Sequence, residues 1–250
     1  MPTLPETEYR ALVRDIAAAL EVQATAMAAP ATTRPGLAAA LEPTLLSPTA
    51  TGDEVDRLCA FAAHHRVAAV CVAPTWLARA AAVLRATPVA VATVVAFPLG
   101  ANLGTTKLHE ASECVRLGAD ELDVVVNLGA VRAGDGAVVA GELRSICAVA
   151  HAAGARVKAI LELPVLDEAE VRRAAAWALE AGVDFLKTAT GYGPDARPAT
   201  PGDVALLRGL APAGVGIKAA GGIRSAAAAM ALLAAGADRI GTSAAAAILE

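Results

Sequence analysis

Three lysines stand within or directly after short apolar runs, where an ammonium group is unusual. Lys187 follows Val183–Leu186, Lys218 follows Gly214–Ile217, and Lys158 lies inside a third apolar run. An ammonium group is strongly hydrated, so its burial is costly unless it is paired or its chemistry is used. Burial and a neighbouring ammonium group both lower the pKa of a lysine, so one of the three can be a neutral amine near pH 7. A neutral amine attacks carbonyl carbon atoms, which predicts imine chemistry.

One carboxylate accompanies these lysines. Asp123 lies in the run Glu121–Val126, one predicted strand before Lys158. It serves either as the counter-ion of a lysine or as a group that relays protons during imine chemistry. The residue types alone leave both interpretations open.

Glycine-rich segments follow two later apolar runs. Gly221 and Gly222 come shortly after Lys218, and Gly241–Ser243 joins the last run to a predicted final helix. Free backbone N–H groups and a helix start at such loops form the phosphate site of many barrels, although glycine pairs also serve ordinary turns. We therefore expect a phosphorylated small molecule at this end of the fold.

The sequence shows no convergent set of metal ligands. The four histidines fall in predicted helices, and the four cysteines lack the spacing of zinc sites or disulfides. We expect reduced, mostly buried thiols, no metal ion and no organic cofactor.

Short β-rich runs alternate with longer alanine-rich helical patterns from residue 40 onward, which is typical of a parallel α/β fold. Eight such pairs predict a (β/α)8 TIM barrel, in which polar side chains at the strand ends meet at one face. An open doubly wound sheet is the alternative, but the glycine-rich turn that it requires is missing after Leu45. The predicted strands cover residues 40–45, 68–72, 89–97, 121–126, 156–161, 184–188, 214–219 and 239–241.

A separate segment precedes the barrel. Residues 6–28 have the pattern of one amphipathic helix, and Pro30 and Pro35 mark a short linker. We divide the chain into an N-terminal helix with its linker, residues 1–36, and a catalytic barrel, residues 37–250. The extension is expected to cover either the bottom of the barrel or a subunit interface.

Composition narrows the class of partner. A net charge of −4 and an aromatic content of 3% argue against a dedicated nucleic-acid binder. The apolar runs are far shorter than the ~20 residues of a membrane helix, and the N-terminus lacks the basic start and long apolar run of a secretory signal. We expect a cytoplasmic, soluble enzyme that acts on a small molecule and binds neither nucleic acid nor membranes.

Three segments, residues 121–127, 185–191 and 216–224, together resemble the deoxyribose-phosphate aldolase family. Shorter matches at Thr44–Leu46 and Phe97–Gly100 occur in the same order, so the likeness spans about residues 40–249. The resemblance implies the reversible, metal-independent cleavage of 2-deoxy-D-ribose 5-phosphate to D-glyceraldehyde 3-phosphate and acetaldehyde. Such a lyase belongs to deoxyribonucleotide catabolism. Base rates for soluble enzymes favour a homodimer or another homo-oligomer.

The resemblance also implies a role for individual residues. Lys187 is the amine that forms the Schiff base, and Lys218 lowers the pKa of Lys187 and joins the proton relay. Asp123 acts with an ordered water as acid and base, and Lys158 supports the site. Substrate or phosphate binding is implied for residues near the strand ends: Glu42, Thr44, Cys71, Thr190, Gly191, Gly221, Gly222 and Ser243.

Several positions depart from the family's pattern. Glu42 and Pro43 stand where the family has Asp-His, and Ala189 and Ala220 stand where it usually has serine. Because each change alters or removes a polar group, we expect a shifted rate or carbonyl preference. Two alternatives stay open: a related class I lysine aldolase with another substrate, and a phosphosugar-binding barrel with impaired catalysis. Cys71 is either a reactive thiol at the mouth or a buried, inert one.

Overall fold

The computed structural model describes residues 34–193 and 195–249. Eight parallel strands pair in chain order, and the last strand pairs with the first, so the sheet closes into a barrel. This confirms the predicted (β/α)8 architecture. The strands are β1 Leu41–Leu45, β2 Ala69–Val72, β3 Ala90–Val95, β4 Glu121–Val125, β5 Arg156–Ile160, β6 Phe185–Lys187, β7 Gly216–Ala220 and β8 Arg239–Thr242.

Ten α-helices connect or flank the strands in the described part of the chain, together with 3-10 turns at Pro74–Trp76 and Leu163–Val165. Short polar residues start several helices by accepting a backbone N–H, as Thr51 does at Gly52–His65 and Thr200 does at Pro201–Leu210. The helices are α1 Arg34–Ala40, α2 Gly52–His65, α3 Leu77–Leu84, α4 Gly104–Arg116, α5 Leu128–Ala133, α6 Gly136–Ala152, α7 Glu168–Glu180, α8 Pro201–Leu210, α9 Ala226–Ala234 and α10 Ala245–Leu249.

Several strands have an apolar outer face and carry charged side chains on the inner face. On β4, Leu122 and Val124 belong to the apolar layer between sheet and helices, while Glu121 and Asp123 are buried in the barrel interior. This alternation follows from the two-residue period of a strand. Charged side chains therefore fill much of the space that aliphatic layers occupy in many barrels of this class.

The strand register brings the chemical residues to similar heights. Asp123 on β4 pairs with Lys158 on β5, and Lys187 on β6 pairs with Lys218 on β7. Closure of β8 onto β1 then places Glu42 opposite Gly241. Residues that are far apart in the chain thus share one interior layer.

Two helices were not predicted. Helix α1 begins at Arg34, inside the segment predicted as a linker up to residue 36, and runs directly into β1. Helix α5 adds a short turn after β4, and it begins where the Asn127 side chain accepts the Ala130 N–H. The helix predicted over residues 6–28 lies outside the described residues. Within residues 34–193 and 195–249, the helices fall short of the length and hydropathy needed to cross a membrane.

Candidate active site

Lys187 ends β6 and points into the mouth of the barrel. Only 3% of the residue is exposed, and its Nζ donates to Asp123 Oδ2 over 2.7 Å. The Phe97 ring lies 6.0 Å from Nζ. Lys187 is also one of the residues that line the main cavity. It is therefore a buried amine with access to a space that a small molecule can enter.

Asp123 is the centre of the charged layer. Its Oδ1 accepts from Lys158 Nζ over 2.7 Å, and its Oδ2 accepts from both Lys187 over 2.7 Å and Lys218 over 2.5 Å. Burial alone would raise the pKa of the Asp123 carboxyl, but the three ammonium groups outweigh burial and hold that pKa well below its usual range. Asp123 is thus a shared carboxylate rather than the counter-ion of one lysine.

The three lysines differ in how well their charges are compensated. Burial lowers the pKa of Lys187, and the nearby Lys218 acts in the same direction against the pull of Asp123. For Lys218 and Lys158, burial also favours the neutral amine, but Asp123 and Glu42 overcome it and raise both pKa values. Lys187 is accordingly the amine most easily deprotonated, as the sequence predicted for one of the lysines.

Glu42 lies beneath the lysines. Its side chain is fully buried and does not belong to the lining of the main cavity, although the sequence predicted it as a substrate-binding residue. One carboxylate oxygen accepts from Lys218 Nζ, and the other lies 3.5 Å from Lys158 Nζ. The structure thus places Glu42 against Lys218 and Lys158, with Pro43 as the next residue of β1.

A second layer of charge lies deeper in the barrel. Glu121 is fully buried, and its carboxylate contacts Lys158 Nζ at 2.5 Å, the Arg156 guanidinium and the Arg239 guanidinium. The two guanidinium groups also lie 5.5 and 5.7 Å from the centre of the Phe185 ring. Sequence reasoning missed Glu121 and Arg239 as members of the network. The available signal was their type, since each is a charged residue at the start of a predicted strand.

A cavity of about 710 Å³ opens above Lys187 and Lys218. The loops after β6, β7 and β8 form much of its wall, as expected for the carboxyl-terminal face of a barrel. Cys71 and Asp123 do not belong to its lining. Predicted binding residues that do line the cavity are Thr44, Thr190, Gly191, Gly221, Gly222 and Ser243.

The glycine pair after β7 has a backbone that other residues rarely adopt. Gly221 has φ +108° and Gly222 has φ +62°. A Cβ at Gly222 would lie 3.0 Å from Pro198 Cα, so a side chain there would crowd the facing loop. Both positions therefore require glycine, and the backbone remains exposed toward the cavity. The helix that follows Ser243 is α10, a short helix at Ala245–Leu249.

The loop after β6 is fixed by a buried glutamate. Glu162 adopts a left-handed backbone with φ +57°, and its Oε2 accepts the Thr190 N–H over 2.9 Å. Burial raises the pKa of the Glu162 carboxyl despite this hydrogen bond. Sequence reasoning assigned binding roles to Thr190 and Gly191 but missed further residues that line the same cavity: Tyr192, Arg197 and Arg224.

Cys71 packs inside the barrel against Ala92 and Val94 and is 1% exposed. Burial raises the pKa of its thiol to about 12, which favours the inert interpretation over the reactive one. Glu42, Cys71 and Asp123 each place one potential metal ligand within 4.8 Å of the others, a cluster that the sequence did not reveal. Both carboxylates are already paired with ammonium groups, whose positive charge competes with a cation.

Taken together, the site holds the groups that imine formation requires. A buried amine with a lowered pKa faces a cavity, and glycine backbone lines the same cavity. A carboxylate and a second ammonium group lie within hydrogen-bond distance of the amine or of each other. Such a constellation supports nucleophilic attack on a carbonyl with local proton transfer.

Comparisons with known proteins agree with this geometry. A protein-family model described as DeoC/LacD family aldolase matches residues 39–249. The deoxyribose-phosphate aldolase of Thermosynechococcus vestitus is 47% identical over 207 residues, which cover 83% of this chain and 93% of that protein. Among solved structures, an aldolase called QR15 has a TM-score of 0.80 at 37% identity and covers 85% of this chain and 94% of its own. The deoxyribose phosphate aldolase of Aeropyrum pernix, described as a unique tetramer, has a TM-score of 0.80 at 35% identity, with 87% and 91% of the two chains covered.

Proposed function

This chain belongs to the DeoC/LacD family of aldolases, and we propose that it cleaves 2-deoxy-D-ribose 5-phosphate reversibly through a Schiff base on Lys187. The observation that carries the proposal is the position of Lys187. Its amine has a lowered pKa, lies 2.7 Å from the Asp123 carboxylate and borders the cavity that the glycine pair lines. Relatives named deoxyribose-phosphate aldolase supply the substrate class.

The reaction begins at C1 of the open-chain sugar. The neutral Lys187 amine attacks the aldehyde carbon, and loss of water gives an iminium ion. The bond between C2 and C3 then breaks, and its electron pair moves toward the iminium to form an enamine. A base removes the C3 hydroxyl proton, and D-glyceraldehyde 3-phosphate leaves.

The second half of the reaction restores the amine. Protonation of the enamine at C2 gives a new iminium ion, and water hydrolyses it to acetaldehyde and free Lys187. Asp123 and Lys218 are the groups proposed to move these protons, because Asp123 Oδ2 contacts both lysines. Lys158 would hold the other oxygen of Asp123 and so fix its orientation.

Phosphate recognition is proposed for the loops that follow β6, β7 and β8 at the mouth of the barrel. The backbone at Gly191, Gly221 and Gly222 lines the cavity together with Thr190 and Ser243. Backbone N–H groups in such loops bind phosphate oxygens. The three glycines have positive φ values, which other residues rarely adopt, and their lack of a Cβ leaves the backbone open to a close approach by phosphate. Thr44 from β1 faces the same space.

The decisive experiment is trapping of the imine. The protein is incubated with 2-deoxyribose 5-phosphate, reduced with borohydride, and examined by intact and peptide mass spectrometry. We expect one reduced adduct on Lys187, absent when the sugar is left out. The Lys187→Met variant should give no adduct and lose roughly a thousand-fold or more of the cleavage rate. Wild-type protein that cleaves the sugar without an adduct on Lys187 would contradict the mechanism.

A related class I lysine aldolase is the second candidate. Ala220 lines the cavity at a position where the family usually has serine, so one polar group near the substrate is missing. Product analysis with other aldehydes and ketones as carbonyl donors separates the two functions. Faster turnover of a different donor would favour the second candidate, and an inactive protein that still binds the sugar phosphate would indicate a binding-only barrel.

We also propose that the chain forms a homo-oligomer. The support is the relative from Aeropyrum pernix, which is described as a tetramer and covers 87% of this chain. Size-exclusion chromatography with light scattering measures the state directly. A single species at the 25.0 kDa mass of one chain would contradict the proposal.

A further inference from the structure

Glu42 has two carboxylate oxygens in very different situations. The residue is fully buried, and Oε1 accepts from Lys218 Nζ. Oε2 is buried and has no hydrogen-bond partner among the described residues. Its nearest cations are Lys158 Nζ and Arg239 Nη1, each at 3.5 Å. A buried carboxylate oxygen without a hydrogen bond is costly, so the side chain must contribute something other than good hydrogen-bond geometry.

The charges inside the barrel show what that contribution is. The buried cations of the described strands are Lys158, Lys187, Lys218 and Arg239, and the buried carboxylates of the same strands are Glu42, Glu121 and Asp123. The Arg156 guanidinium joins them at Glu121, and the buried Glu162 adds a fourth carboxylate just after β5. With cations and carboxylates this close in number, the lysine that is most easily deprotonated is decided by how the carboxylates are distributed among the lysines.

The distribution singles out Lys187. Lys218 contacts both Glu42 and Asp123, and Lys158 contacts Asp123, Glu121 and Glu42. Among the carboxylates of the described residues, Lys187 forms an ion pair with Asp123 alone, at 2.7 Å, and it shares that carboxylate with both other lysines. Its ammonium group is therefore the least compensated of the three.

We propose that Glu42 is a positioning residue that keeps Lys218 in its charged form beside Lys187, so that Lys187 is the lysine that gives up its proton. The proposal rests on the proposed function, because it concerns the amine that forms the imine. It also gives a role to Glu42, which stands where the family has aspartate. The Glu42 side chain on β1 contacts Lys218 on β7, past the intervening strand β8. This role makes Glu42 a determinant of pH dependence rather than of sugar binding.

Every group that faces Glu42 enters the expected titration. These groups are Lys218 on β7, Arg239 on β8, Lys158 on β5, Asp123 on β4 and the Cys71 thiol on β2. Burial favours the neutral form of Lys218, and the Asp123 and Glu42 carboxylates counteract it and raise its pKa. Removal of the Glu42 charge should lower the pKa of Lys218 most. A bell-shaped rate profile should then lose its alkaline side at lower pH, because Lys218 no longer keeps its proton there.

The test compares pH profiles of kcat/KM for cleavage of 2-deoxyribose 5-phosphate by the full chain. Wild type, Glu42→Gln and Glu42→Asp are measured from about pH 6 to about pH 11. Because the carboxylates raise the pKa of Lys218 above the ordinary lysine value of ~10.4, we expect wild type to reach at most the start of its alkaline limb in this range. We expect the alkaline limb to move down by about one pH unit or more in Glu42→Gln. Glu42→Asp should place the limb between the two, because it restores the charge at a greater distance from Lys218.

A matched control separates this effect from any loss of a buried glutamate. Glu110 is partly buried, and its Oε2 accepts the Ala96 N–H over 2.8 Å. Within residues 34–193 and 195–249, it forms no ion pair with a lysine of the barrel interior. The Glu110→Gln variant makes the same chemical change and should leave the alkaline limb in place. A Glu42→Gln enzyme that is slower by the same factor at every pH would overturn the proposal and indicate a structural role.

Two further outcomes are decisive. If Glu42→Gln does not fold, Glu42→Asp carries the test alone, and an alkaline limb that coincides with wild type contradicts the proposal. If wild-type protein does not cleave the sugar, the proposed function fails and the inference fails with it. A wild type that cleaves the sugar, combined with an unmoved limb in both variants, contradicts the inference alone.

Discussion

Replacement of Lys107, which lies between the helices and the sheet, by methionine should lower the free energy of unfolding of the barrel. Lys107 lies on α4 and is fully buried, with its Nζ 2.7 Å from Glu142 Oε2 on α6 and 3.2 Å from the carbonyl oxygen of Val125 at the end of β4. The lysine therefore joins two helices to the strand that carries Asp123. Methionine fills a similar volume, so most of the packing is kept and the lost interactions are electrostatic.

The expected magnitude follows from the exposure of the two partners. Removal of one member of a buried ion pair costs about 3–5 kcal/mol, because the remaining charge is left uncompensated. The side chain of Glu142 is 14% exposed and can regain some hydration, which places the cost near the lower end of that range. We therefore expect the free energy of unfolding to fall by about 3 kcal/mol in Lys107→Met.

Urea unfolding followed by circular dichroism measures this change, with an unchanged m-value as evidence that both proteins unfold in the same way. The double variant Lys107→Met/Glu142→Leu removes both charges and should recover roughly 2 kcal/mol relative to Lys107→Met. A loss below about 1 kcal/mol in the single variant, or strictly additive effects in the pair, would refute the reasoning.

Three other predictions concern the interior and the mouth. Cys71 is 1% exposed, and burial raises the pKa of its thiol to about 12. Iodoacetamide should therefore leave Cys71 unmodified in the native protein and label it after unfolding, and peptide mass spectrometry measures the label at this position. Gly100 has φ +67°, and a Cβ there would lie 2.1 Å from the Val126 carbonyl oxygen, so Gly100→Ala should lower the free energy of unfolding by roughly 2 kcal/mol or more in urea. The ammonium groups around Asp123 overcome burial and lower the pKa of its carboxyl in the folded protein. The contribution of this carboxylate to the free energy of unfolding is therefore complete above the unfolded pKa of ~3.9 and is lost as pH falls toward the folded pKa. Asp123→Asn should accordingly lose less stability than wild type on acidification below about pH 4.

The strands and the central lysines could be predicted because both depend on local pattern. The alternation of short β-rich runs with alanine-rich helical patterns indicated a parallel α/β barrel, and strand ends in a barrel share one face, so Lys187, Lys218 and Asp123 were expected to meet. In the structure Lys187 and Lys218 lie on adjacent strands, and Asp123 on β4 contacts both in the barrel interior. For such residues, knowledge of the fold and of the register is enough to predict proximity.

The deeper network could not be predicted in the same way. Glu42 and Lys218 are 176 positions apart, and only the closure of β8 onto β1 brings them together. The sequence therefore suggested that Glu42 reaches the sugar, whereas the structure directs it toward the lysines below the cavity. Arg239 and Glu121 contact each other across the barrel for the same reason, and no local pattern contains that information.

The barrel interior also shows that stability and chemistry make opposite demands. Buried ion pairs are often no more stable than apolar residues of similar volume, so the layer of Lys158, Glu121 and Arg239 is poor evidence of a stabilising core. Lys158 nevertheless contacts both Glu121 and Asp123, and through Asp123 it is one contact away from Lys187. Each charge in this chain of contacts changes the free energy needed to deprotonate the next group. Replacing an ion pair of this deeper layer with apolar residues should therefore leave the barrel folded and still shift the pKa of Lys187. This effect on Lys187 is the reason to expect charged rather than aliphatic side chains at these positions.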